Sequence, residues 1–219
     1  VLEFTPYGVF GLMANIVGKY GMDVLLPYIK TIGACYLTCA LFTIIVQGGL
    51  MVGLYGGISP VKFFGTMKEA ILFVFATCSS VATIPLNLKC TKALGVDDKI
   101  ADFVIPFGAV MNMNGTAIYE AVAVIFASQV FGIELTVTQQ IMVMVTAVLA
   151  SVGTAGIPGS GLVMMTIVLN AVNLPLETIG LLAGIDRILN MARVIPNIVG
   201  DAAAAVVVAK SEGALHPQK

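Results

Sequence analysis

Apolar residues run along this chain in long blocks, broken at intervals by glycine, proline or charge, and the blocks have helical rather than strand length. The pattern predicts a partial helix over 4–20 and a long one over 25–56 that carries no charge after Lys30. The next block, ILFVFATCSSVATIPLNL, is too short and too interrupted for one clean span, because small polar residues and Pro85 break it. That layout predicts a re-entrant hairpin over 62–92. A full helix is expected over 98–129, then a second broken segment over 136–171 centred on SVGTAGIPGSG, then a last helix over 175–209. The tail KSEGALHPQK is polar and expected to be loose. The predicted fold class is therefore an all-α membrane protein, with transmembrane helices and two opposed re-entrant helical hairpins in an inverted repeat.

The lysines orient this layout, since cytoplasmic loops beside membrane helices are enriched in Lys and Arg. Lys62 and Lys68 precede the first broken segment and Lys89, Lys92 and Lys99 follow it, which puts both its ends on the cytoplasmic side. No Lys or Arg recurs until Arg187, so the second broken segment enters from the outer face, and Lys210 returns a cytoplasmic C-terminus. Lys19 and Lys30 run against the trend, in or beside an outer loop. The two tips echo each other, SSVATIP and SVGTAGIP, and each precedes a helix with polar groups, NMNGT and NMARVIPN. Interrupted segments in corresponding halves, entering from opposite faces, point to an inverted-repeat transporter with its site at the midplane.

Composition sharpens the picture. With 58% hydrophobic and 11% charged residues and a mean hydropathy of +1.01, the chain lies far from the roughly 25% charge of a soluble domain and belongs in a lipid bilayer. A net charge of −1 offers no basic excess, so no nucleic-acid partner is expected. Cys35, Cys39, Cys78 and Cys90 form no CxxC pair and act as small hydrophobes. Ser79 and Ser80 are conceivable nucleophiles, but the sole histidine is His216 in the tail and no Gly-x-Ser-x-Gly elbow exists, so enzymatic activity is not expected. The opening VLEFTPYGVF has neither an initiator Met nor a signal-peptide layout, as expected if it begins inside a longer protein.

Within DRILNMARVIPNIVGD, residues Asp186, Asn190, Arg193, Asn197 and Asp201 fall on one helical stripe. An arginine at the bilayer centre costs about 2.5–3.5 kcal/mol on insertion scales, so it must face a cavity or a partner. Its planar fork suits a carboxylate bidentately, and a structural ion pair with Asp186 or Asp201 is the alternative. Pro196 inside this helix removes one hydrogen bond and crowds the Ala192 carbonyl, which predicts a kink to which no role is assigned. NMNGT should unwind its helix and turn carbonyls toward Na⁺, with Gly115 permitting the irregularity and Met113 offering a thioether; a polar helix–helix contact of Asn112 and Asn114 is the alternative. At the tips marked by Pro85 and Pro158, helix N-termini make Ser79, Ser80 and the stretch from Gly156 to Gly159 candidates for binding an anion, against simple close packing of small residues.

Together SSVATIP, NMNGTAIYE, SVGTAGIPGSG and the R-x-x-x-N-x-x-x-D run from Arg193 to Asp201 resemble the C-terminal, transport-domain half of the dicarboxylate/amino acid:cation symporters, the glutamate transporter family, over nearly the whole chain. The resemblance implies that 1–24 ends a scaffold helix, that 25–209 is an elevator-type transport domain, and that 210–219 is a cytoplasmic tail. It further implies a multi-pass protein of the inner cell membrane, trimeric through scaffold helices mostly outside this chain. By that resemblance Ser80, the Ile157, Pro158 and Gly159 tip, and Asn197 hold one substrate carboxylate, with Ser79 adjacent, while Arg193 and Thr116 hold a second. The family's ammonium partners stand where this chain has Asn190 and Val194, so a C4-dicarboxylate competes with aspartate or glutamate as substrate. One sodium site would use the carbonyls of Gly108, Asn112 and Asn197 with the Asp201 carboxylate. A second would use carbonyls near Val110 and at Ser151, Val152 and Thr154 with the Met113 sulfur, and a third lacks its acid at Asn114. Fewer sodium ions, or protons in part, would then drive transport, with no organic cofactor. Val81 replaces a family serine, with no consequence that can be derived. The glycines 153, 156, 159 and 161 make the second hairpin a gate. The expected function is a cation-coupled secondary active symporter of a small acidic substrate; an ion or anion channel with a hairpin filter is the rival.

Overall fold

A computed structural model describes residues 5–21 and 25–216; the outer parts of the expected scaffold segment and tail, 1–4, 22–24 and 217–219, lie outside the described residues. The described chain is helical, in the order α1 (Thr5–Tyr20), α2 (Leu25–Leu41) with a π-helical extension (Phe42–Tyr55), α3 (Pro60–Thr77), α4 (Ser80–Ala93), α5 (Asp98–Met111), α6 (Asn114–Phe131), α7 (Val137–Val152), α8 (Ser160–Ala171), α9 (Glu177–Ala183) and α10 (Asp186–Ser211). Among the described residues, three stretches are long and apolar enough to cross a membrane: Leu26–Tyr55, Asp98–Phe131 and Asp186–Ser211.

The apolar window is 72% buried in α10 and 28% buried in α2 with its extension. The last helix is thus the central post, and α2 leaves most of its circumference uncovered by the described chain. Two apolar clusters meet on that post. One joins α2 and α6 to α9 with Leu189 and Ala192, and the other joins the π extension, α3, α4 and α5 with Val194, Ile198 and the alanines after Asp201. The run Ala202 to Ala205 keeps this part of α10 slim enough for close helix contact.

Several local outcomes differ from the sequence expectation. The first broken segment is interrupted at Cys78 and Ser79 rather than at Pro85: Cys78 is left-handed at φ 56°, and the Ser79 hydroxyl accepts from Ala82 N at 3.2 Å, capping α4. Pro85 removes only one ladder bond, and α4 runs through it. The expected helix 175–209 is two helices, parted at Gly184 and Ile185. From Phe42 the expected regular helix is π-helical, and Gly48 leaves room there for the Phe64 ring. The second broken segment starts with a Thr136/Gln139 capping box and ends α7 at Val152.

The tail is not loose as far as residue 216. Gly213, at φ 66°, turns the chain back. Asp97 N then donates to Ala214 O at 3.1 Å, His216 N donates to Gly95 O at 2.7 Å, and Val96 and Leu215 form a β-bridge. Leu215, partly buried, anchors this clasp by packing on the second cluster.

Candidate functional site

Four helix ends and one helix middle converge: the start of α4, the start of α8, the α5–α6 break at Asn112 and Met113, and the centre of α10. The tips of the two broken segments touch, because Ser79 Oγ donates to Gly156 O at 3.1 Å and Val81 N donates to the same carbonyl at 3.4 Å. At the break, Gly115 is required. A Cβ there would collide with Arg193 O, so only glycine lets α6 begin against α10. Gly115 N then donates to Asn197 Oδ1 at 2.8 Å, and Asn197 Nδ2 reaches Met113 Sδ at 3.2 Å.

The polar stripe of α10 is buried along its length, with Asn190, Arg193 and Asn197 each 2% exposed and Asp201 1%. Arg193 forms no salt bridge with Asp186 or Asp201, so the structural ion pair is not what the helix contains. Its Nε donates to Asn190 Oδ1 at 2.9 Å, its guanidinium stacks 4.6 Å from the Tyr119 ring centroid, and its Nη1 is buried with no hydrogen-bond partner. Gly161 lies against that guanidinium, where a Cβ would overlap Nη1. A buried cation with an unmet donor, held only by a neutral amide and a ring face, is set to receive an anion.

The space around Arg193 is lined by Ser80, Thr116, Gly156, Ile157, Asn190, Val194 and Asn197, and encloses only about 10 Å³. That is near the volume of a single water, so a dicarboxylate enters only if a tip moves. Of the expected substrate residues, Ser79 bonds across the tips without lining the space, and Pro158 and Gly159 are not brought to it. Cys78, Ala155 and Ser160 line it without having been expected. A cavity of about 720 Å³ lies elsewhere, between α6 and α7 beside Gln129, Glu134 and Gln140.

Residues of the expected first sodium set lie side by side. Asp201 Oδ1 accepts from Asn112 Nδ2 at 2.8 Å, Gly108 packs directly on the Asp201 carboxyl, and Asn197 O accepts from Asn112 Nδ2 at 3.1 Å. Asp201 Oδ2 is buried without a partner. A hard monovalent cation fits this set of carbonyl and carboxylate oxygens, since it satisfies the orphaned oxygen. The expected second set rests on backbone carbonyls around the Met113 sulfur, and its side chains engage other partners. Met113 meets Thr116 and Asn197, whereas the Ser151 and Thr154 hydroxyls bond back into α7 and Val110 and Val152 are exposed. Asn114 lies beside Gly200.

Sequence reasoning assigned no role to Glu120, although NMNGTAIYE contains it. This carboxyl is 0% exposed and neither oxygen has a hydrogen-bond partner. An ionisable residue in an apolar helix was the signal available.

The fold and site define an integral membrane protein with a buried, cation-centred polar core between two helix-break tips. The sequence profile of the sodium:dicarboxylate symporter family matches residues 1–211, and the chain belongs to that family. It is 37% identical over 219 residues to the proton/sodium-glutamate symport protein of Bacillus subtilis strain 168, covering all of this chain and 51% of that protein. It is 38% identical over 220 residues to C4-dicarboxylate transport protein 2 of Polaromonas naphthalenivorans strain CJ2, covering all of this chain and 49% of the relative. The C4-dicarboxylate transport protein of Burkholderia mallei strain ATCC 23344 is 37% identical over 220 residues. The chain spans about half the length of these relatives.

Proposed function

We propose that this chain carries the substrate and cation sites of a cation-coupled symporter of small acidic substrates, and that a C4-dicarboxylate fits better than aspartate or glutamate. The observation that carries this reading is the buried Arg193 with an unpartnered Nη1. One carboxylate bonds Arg193 and Thr116. The other meets Ser80, whose buried hydroxyl has no partner, and Asn197. Asn190 is neutral and already bonded to Arg193 Nε, so a substrate ammonium finds no carboxylate at that position.

The coupling ion in this proposal is Na⁺ at Asp201, Asn112, Asn197 and Gly108, and the partnerless Glu120 carries a proton in addition. Opening of the tip from Gly153 to Gly161 admits substrate. The elevator movement and the trimer follow from the family resemblance and rest on helices outside this chain.

The test is uptake of labelled succinate and aspartate by the full-length protein in proteoliposomes under separate sodium and proton gradients. A symporter gives saturable, gradient-driven uptake and counterflow, whereas a channel gives non-saturating flux without exchange. Glu120→Gln is expected to abolish the response to a pH gradient while leaving the sodium response. An unchanged pH response removes Glu120 from the proposal.

A further inference from the structure

Three successive carbonyls of α10, at Pro196, Asn197 and Ile198, each accept a hydrogen bond from a side-chain amide of a different element. Gln47 Nε2, from the π-helical extension, donates to Pro196 O at 2.7 Å. Asn112 Nδ2, at the α5–α6 break, donates to Asn197 O at 3.1 Å. Asn87 Nδ2, in α4, donates to Ile198 O at 3.1 Å. Successive helix carbonyls are rotated by 100° about the axis, so the three amides grip the helix from three sides. A helix carbonyl has a second lone pair, which lets it accept such a bond without giving up its ladder partner.

This collar sits one turn after Arg193 and one turn before Asp201, where Pro196 has already removed a backbone donor. Gln47 and Asn87 are 0% and 1% exposed. Each donates to α10, and each leaves its amide oxygen without a partner among the described residues. Gln47 also shares the surface of Gly200 with Asn112 and Asn114: the three side-chain nitrogens are the atoms nearest to where a Gly200 Cβ would stand. Gln47 therefore touches the same short stretch of helix that Asn112 ties to the Asp201 carboxyl.

We propose that Gln47 and Asn87 are positioning residues for the cation site, setting the rotation of α10 so that the Asp201 carboxylate and the Asn197 carbonyl face one ion. Neither residue touches the ion; each acts through the carbonyl it holds. The π-helical register is part of the device, because it brings Thr43, Gln47, Gly48 and Val52 to the buried side of the extension, where the Gln47 amide meets the Pro196 carbonyl.

This inference rests on the symport reading above. The test uses the full-length protein with Gln47→Met and Asn87→Leu, which keep bulk and remove the amide, and Thr43→Val as a control for a buried hydroxyl of the same extension that holds no α10 carbonyl. Two quantities are measured: the sodium concentration for half-maximal succinate uptake, and hydrogen–deuterium exchange of the amides from 199 to 202. The collar variants are expected to raise the sodium constant about fivefold, as for one ordinary hydrogen bond, to leave maximal uptake within about twofold at saturating sodium, and to speed exchange at 199–202. Thr43→Val is expected to change neither quantity. An unchanged sodium constant in both collar variants, with folded protein recovered in normal amount, overturns the proposal. If the unmodified protein shows no sodium dependence, the symport reading fails instead, and the collar is then judged by exchange: unaltered exchange at 199–202 overturns it.

Discussion

Asn190 and Gly161 bear on Arg193 from opposite sides, one through a hydrogen bond and one by making room. Asn190 supplies a neutral acceptor to Nε. Asn190→Asp puts a full charge there, so it should raise the affinity for aspartate relative to succinate; a ratio that does not move shows that Asn190 is not the amino-group position. Gly161→Ala places a methyl group on the guanidinium. Overpacking of this kind costs about 1–3 kcal/mol. The expected outcome is roughly tenfold or greater weakening of succinate binding by calorimetry, with a modestly lower thermal midpoint because the guanidinium must shift in the free protein too. Unaltered affinity in Gly161→Ala means that Arg193 does not take this pose when substrate binds.

Among the elements, the clasp between the tail and the α4–α5 loop binds the end of the central post to the first broken segment. Its two bonds from Asp97 N and His216 N to backbone carbonyls, at 3.1 and 2.7 Å, are the connections that a deletion of 212–219 removes. At about 0.5–1.5 kcal/mol each, their loss predicts a destabilisation of about 1–3 kcal/mol, read as a lower thermal midpoint of the detergent-solubilised protein. An unshifted midpoint shows that the clasp opens freely in solution. Most element ends could be located from the sequence because their chemistry is local: the Thr136 capping box, the Ser79 cap and the Gly132 terminus after α6 each lie within one turn of the end they define. The π register and the split at Gly184 were not legible, since apolar periodicity says how long a run is helical but not which carbonyl each amide meets.

For the molecule as a whole, the legible and hidden parts of the site separate by sequence distance. The stripe from Asp186 to Asp201 was visible because all five residues share one helix face, and the NMNGT break because polar residues cluster there. The collar was hidden: Gln47 and Asn87 reach carbonyls 149 and 111 positions away, and a lone amide in an apolar run carries no sign of its partner. Gly161 was expected only as one glycine of the gate, and its contact with Arg193 likewise crosses between distant parts of the chain. The same long connections make α10 the member that both apolar clusters share.

The most direct experiment is titration calorimetry of the purified full-length protein with succinate and with L-aspartate, in NaCl and again in KCl, repeated with Arg193→Ala. Succinate binding in NaCl that weakens strongly in KCl, exceeds aspartate binding, and disappears in Arg193→Ala is the predicted result. Binding that is indifferent to the cation, or that survives loss of the Arg193 guanidinium, would contradict a cation-coupled site built on that residue.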